Sequence, residues 1–114
     1  MIELEVFRLE NATPVGLRAG GHSTTAPRGE NPVCAAVSTI FELLIAAAAS
    51  LPASSVKYRR EAKLPLWELT VSPAKLSDRQ LENYCFTLKA AVEVLIRIAE
   101  KHPEECRLVD SKQD

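Results

Sequence analysis

Asn31-Pro32-Val33-Cys34-Ala35-Ala36-Val37-Ser38-Thr39-Ile40-Phe41-Glu42-Leu43-Leu44 opens a long apolar segment, and its reading decides the fold. Asn is a favoured helix N-cap and Pro suits the first helical position, so a helix starts here. Val33, Val37, Ile40, Phe41, Leu44 and Ala48 recur every three or four residues and form one apolar stripe. Leu51-Pro52 closes the helix. Between Val33 and Leu51 Glu42 is the sole charge, so the segment approaches the length of a bilayer span. Its many Ala and Ser residues, the central Glu42 and the closing Pro52 favour a helix buried in a globular core, with no membrane partner.

On either side of this helix the period changes to two. Upstream, Ile2, Leu4 and Val6 alternate with Glu3, Glu5 and Phe7. Asn11 to Pro14 supplies turn residues, and Val15, Leu17 and Ala19 then alternate with Gly16 and Arg18, which predicts an antiparallel hairpin. Downstream, Val56, Tyr58 and Arg60 alternate with Lys57, Arg59 and Glu61, and Trp67, Leu69 and Val71 repeat the pattern in a second hairpin. Ser77-Asp78-Arg79-Gln80 has the spacing of a capping box. Leu81, Tyr84, Cys85, Leu88, Val92, Leu95 and Ile98 follow as the stripe of a second, amphipathic helix ending near His102-Pro103. Arg107-Leu108-Val109 is expected to add a short strand before a polar tail from Asp110 to Asp114. The expectation is a two-layer α+β fold: a mostly antiparallel sheet of two hairpins, packed with two α-helices on one face or split between faces.

At 114 residues the chain has the length of one domain, residues 1–114. Its net charge of −1 offers no global attraction to nucleic acid or an acidic membrane surface. Lys57, Arg59, Arg60 and Lys63 form a basic cluster in the sequence, read chiefly as a solvated strand face and alternatively as an RNA contact. The acidic, alternating start Met1 to Glu5 does not read as a signal peptide, which makes a reducing cytoplasm the expected compartment. Three widely spaced cysteines, Cys34, Cys85 and Cys106, are then to be read one by one and not as a disulfide framework.

Cys34 stands apart from the other two. With Asn31 as cap it falls in the first helical turn, where the N–H groups and the positive end of the helix dipole stabilise a thiolate. The same groups can bind the oxyanion of a tetrahedral intermediate. The plainer alternative is a small apolar residue facing the core. His22 follows Gly20-Gly21 at a strand end and precedes an aperiodic stretch, Ser23 to Glu30, read as a mobile loop. A histidine there can deprotonate a nearby thiol, or it can simply be solvated. Ser38, one turn after Cys34, can orient a reacting group or bond back to the Cys34 carbonyl. Cys85 reads as core, and Cys106 as inert, its thiol pKa raised by the two glutamates before it. No CxxC or HxxxH spacing suggests a metal, and no phosphate-cradling glycine loop suggests a nucleotide, so no cofactor is expected.

Gly21-His22, the loop, and Gly29-Glu30-Asn31-Pro32-Val33-Cys34-Ala35-Ala36-Val37-Ser38 resemble the signature of the ribosomal-processing cysteine proteases called Prp. That family reads Gly-His-Ala, a mobile loop, then Gly-x-Asp-Ile-Val-Cys-Ala-Ala-Val-Ser. The resemblance implies a cytoplasmic, homodimeric endopeptidase with no cofactor. Its substrate would be a ribosomal protein precursor, the large-subunit protein numbered twenty-seven, from which it removes an N-terminal extension. It implies His22 and Cys34 as the catalytic dyad, with Gly21, Gly29, Asn31 and Ser38 in support. Asn31 stands where the family carries Asp, which keeps the helix cap and removes a charge. A non-catalytic, ribosome-associated assembly or binding factor of the same fold is the competing expectation.

Overall fold

The computed structural model describes residues 1–21, 32–61 and 66–112, the last three through their backbone alone. Its elements are β1 (Ile2–Arg8), β2 (Pro14–Gly20), α1 (Pro32–Ala48), β3 (Val56–Glu61), β4 (Leu66–Val71), α2 (Asp78–Lys101) and β5 (Cys106–Lys112). Short 3-10 turns, Ala53–Ser55 and Pro73–Lys75, lead into β3 and towards α2.

Both hairpins form as the alternation predicts. The turn from β1 to β2 is tied by Leu9 N–H donating to the Thr13 carbonyl at 2.9 Å and Ala12 N–H donating to that of Leu9 at 2.9 Å. Asn11 Oδ1 accepts from Thr13 N–H at 3.1 Å, the local bond that suits Asn to turns. The sheet has the order β3-β4-β2-β1-β5, antiparallel except for the parallel pair β1–β5. Parallel neighbours need a crossover, and the chain between β4 and β5 supplies it as α2. β5 runs from Cys106 to Lys112, so pairing with β1 extends it into residues whose polarity reads as a tail. Backbone hydrogen bonds to a neighbour strand do not depend on side-chain polarity, which is why composition misses this extension.

Strand alternation gives the sheet two unlike faces. Ile2, Leu4, Val6, Val15, Leu17, Ala19, Leu69 and Val71 are buried beneath the helices. Val33, Val37, Phe41 and Leu44 from α1 and Tyr84, Leu88, Val92 and Leu95 from α2 close over them in one core. Both helices therefore lie on the same face and pack on each other. Each fully buried Leu or Phe contributes roughly 1.5–3 kcal/mol relative to exposure. The opposite face carries charged pairs: Arg107 with Glu3 at 3.1 Å and Arg18 with Glu5 at 3.5 Å.

α2 begins with the capping box foreseen in the sequence. Ser77 Oγ accepts from Gln80 N–H at 3.1 Å, and Gln80 Oε1 accepts from Ser77 N–H at 2.9 Å. It ends at His102, whose N–H donates to the Ile98 carbonyl at 2.9 Å. Among the described residues no helix is long and apolar enough to cross a membrane.

The basic cluster does not survive folding as one patch. Strand pleating sends Arg59 to the open face, where Nη2 meets Glu61 at 2.6 Å, and Arg60 to the helix side, 4.0 Å above the Trp67 ring. Lys63 lies outside the described residues.

Candidate active site

α1 begins at Pro32, as a proline at the first helical position should allow. Cys34 therefore occupies the first turn, where N–H groups point out of the helix end. Its neighbour Val33 is buried in the core, and Cys34 itself is half-buried and packs against that core from the side. Ser38, one turn on, is also half-buried. The hydroxyl that bonds back along this helix is that of Thr39, which donates to the Ala35 carbonyl at 2.8 Å.

The other half of the site hangs from β2. Gly20 pairs with Glu3, so the end of β2 lies beside the start of β1, and Ile2 in turn pairs with Cys106. Gly21 follows with φ +81°, in the left-handed region that favours glycine, and a side chain there would meet the backbone carbonyl of Met1. The chain thus leaves β2 in a direction only glycine takes easily, towards residue 22. His22, Gly29, Asn31 and the loop Ser23 to Glu30 lie outside the described residues. At this end of the sheet lie Gly21, the start of β1 and Cys106, whose thiol feels the charge of Cys34.

Cys106 differs from its sequence reading. It is buried in the core, and burial is the main cause that pushes its thiol up; the neighbouring charge of Cys34 adds to this. The preceding glutamates are not the cause, because β5 turns the Cys106 side chain inward, away from them. Sequence spacing cannot reveal that Cys34 and Cys106, 72 positions apart, come close enough for the charge of one to act on the other. Cys85 is core as expected: its thiol donates to the Pro14 carbonyl at 3.3 Å, and burial raises its pKa.

A cavity of about 350 Å³ adjoins Gly20 and Gly21 on the open face, lined also by Glu3, Glu5, Arg18 and Val109. It lies across the sheet from the helices and does not include Cys34. Its charged residues are engaged with one another or with Arg107.

A family model described as cysteine protease Prp matches residues 1–107. None of the curated proteins matches the sequence. Among solved structures, the ribosomal processing protease Prp from S. aureus, in complex with a covalently linked product peptide, superposes with a TM-score of 0.78 at 18% identity. That match covers 97% of this chain and 100% of that chain. SMU.848 from Streptococcus mutans superposes with a TM-score of 0.79 at 23% identity, covering 99% and 96% respectively. The fold is shared with these structures, and the matched family is one of cysteine peptidases. The chain belongs to the Prp family of cysteine proteases.

Proposed function

We propose that this cysteine protease is an endopeptidase whose nucleophile is Cys34 and whose general base and acid is His22. The observation that carries the reading is the position of Cys34, half-buried in the first turn of α1 at the sheet end where Gly21 leads the chain into His22. His22 takes the thiol proton, and the thiolate attacks the carbonyl carbon of the scissile peptide bond. First-turn N–H groups hold the oxyanion. The C–N bond then breaks as the imidazolium protonates the leaving amine, leaving a thioester on Cys34. Water, deprotonated by His22, hydrolyses the thioester and restores the thiol.

Asn31, Gly21, Gly29 and Ser38 are the supporting residues that the resemblance to the family signature implies, Ser38 from the turn after the nucleophile. The substrate proposed is the N-terminal extension of the large-subunit ribosomal protein numbered twenty-seven. It would be cut in the cytoplasm by a homodimer that can associate with the ribosome. Support comes from family membership and from the S. aureus Prp structure with a peptide product.

The test is cleavage of a synthetic peptide spanning that extension. Cys34→Ala is expected to abolish turnover and His22→Ala to reduce it by about 10²–10⁴-fold, the usual range for a lost acid–base group. Full activity in Cys34→Ala would overturn the mechanism. A non-catalytic binding factor is separated by alkylation with iodoacetamide. The buried Cys85 and Cys106, with raised thiol pKa values, should resist, and a dyad should make Cys34 the fastest site, with a pH-sensitive rate. A Cys34 no faster than a model thiol would favour the binder.

A further inference from the structure

Cys34, Ser38, Phe41 and Ile45 are spaced by four, three and four residues and so share one flank of α1. The opposite flank faces α2, where Ala47 and Leu51 meet Asn83, Tyr84 and Thr87 around a small cavity. The Cys34 flank is therefore the one turned away from α2. Phe41, on this flank, reaches β4, its ring lying 5.5 Å from that of Trp67.

Beyond Phe41, Leu69 and Val71 are buried, but the part of the helix side near Trp67 at the β3 edge remains accessible. Tyr58 is 48% exposed, Trp67 is half-buried and Arg60 is exposed, while α2 lies over β2 and β5. The three side chains form one surface: Arg60 stands 4.0 Å over the Trp67 ring, and Tyr58 is 6.3 Å from it. Leaving aromatic rings accessible on a sheet face forgoes burial that a helix could have supplied, and such surfaces in soluble proteins mark contact with a partner. A guanidinium over an exposed ring is held weakly and offers its own flat face for stacking, so an incoming side chain can displace it or pile onto it.

Reach decides which partner. Seven residues of helix separate Cys34 from Phe41, about 10 Å along the axis. An extended peptide advances about 3.4 Å per residue, so a chain lying along this flank from Cys34 meets Trp67 about three residues from the bond being cut. We propose that Tyr58, Arg60 and Trp67 form a recognition subsite that holds an aromatic or large apolar side chain of the peptide substrate, about three residues from the scissile bond. The inference rests on the peptidase reading for its direction, and on the sheet face for its chemistry.

Two measurements test it separately from that reading. The synthetic extension peptide is altered to Ala or Phe at each of four positions on both sides of the cut, and kcat/KM is measured. Wild type is expected to prefer Phe over Ala at the subsite position by about tenfold, expressed in KM, and Tyr58→Ser, Arg60→Ala or Trp67→Leu to shrink that preference to about threefold or less. An undiminished preference in Tyr58→Ser and Trp67→Leu would overturn the subsite while leaving the peptidase intact. Trp67 is the single tryptophan of the chain, so its emission reports binding directly in Cys34→Ala, where no cleavage occurs. Saturable change with the Phe peptide, weakened about tenfold by Tyr58→Ser, supports the subsite even if wild type cuts nothing. An emission that does not respond overturns it.

Discussion

Gly20 and Gly21 are adjacent in the sequence and meet different surroundings. A side chain added at Gly20 would touch nothing within 4 Å, whereas at Gly21 it would strike the Met1 carbonyl, in a backbone at φ +81°. Left-handed backbone costs a non-glycine residue roughly 1–2 kcal/mol before any clash. Gly21→Ala is therefore expected to lower stability by about 2 kcal/mol and, on the proposed dyad, to cut peptidase turnover about 10²-fold by redirecting the chain that leads to His22. Gly20→Ala should leave both within twofold of wild type, on the order of experimental scatter for a surface change. Equal effects from the two substitutions, measured by chemical denaturation and peptide cleavage, would contradict this account. The sequence marks both glycines as permissive; only the packing of Met1 says which one is required.

At the scale of elements, α2 begins with its termini satisfied. Ser77 and Gln80 exchange backbone and side-chain hydrogen bonds, and the Ser-x-x-Gln spacing alone is enough to foretell the pair. Ser77→Ala is expected to destabilise the chain by about 1 kcal/mol, since it leaves the Gln80 N–H without its cap. Ser77→Asp should recover most of the loss, and an unchanged denaturation midpoint in Ser77→Ala would show that the cap contributes nothing. β5 is the contrasting element. Its apolar signal covers Arg107 to Val109, yet the strand spans Cys106–Lys112 because β1 offers a full-length partner. Local pattern reports propensity, whereas strand length is set by what lies alongside.

For the molecule as a whole, the buried titratable groups set the response to alkali. Burial raises the thiols of Cys85 and Cys106 above the ordinary 9.0, and raises the Tyr84 phenol as well. Each is neutral in the fold and releases its proton more readily when unfolded. Their contribution is fully present below the unfolded pKa and is lost as pH rises through the folded pKa. Unfolding free energy should thus hold steady to about pH 8 and fall above about pH 9, by at most about 1.4 kcal/mol per pH unit for each group. Cys85→Ala should flatten that decline in urea titrations between pH 8 and 10; an unaltered slope would remove Cys85 from the account.

The order of strands and helices, the two hairpins and the place of Cys34 in a first helical turn follow from the sequence alone. Period-two and period-3.6 patterns, caps and prolines are local physics, and they act over a few residues. The parallel pairing of β5 with β1, the approach of Cys34 to Cys106, and the stacking of Arg60 on Trp67 were decided by tertiary structure. Each depends on which surfaces come together when the sheet closes under two helices, and no spacing along the chain encodes that distance.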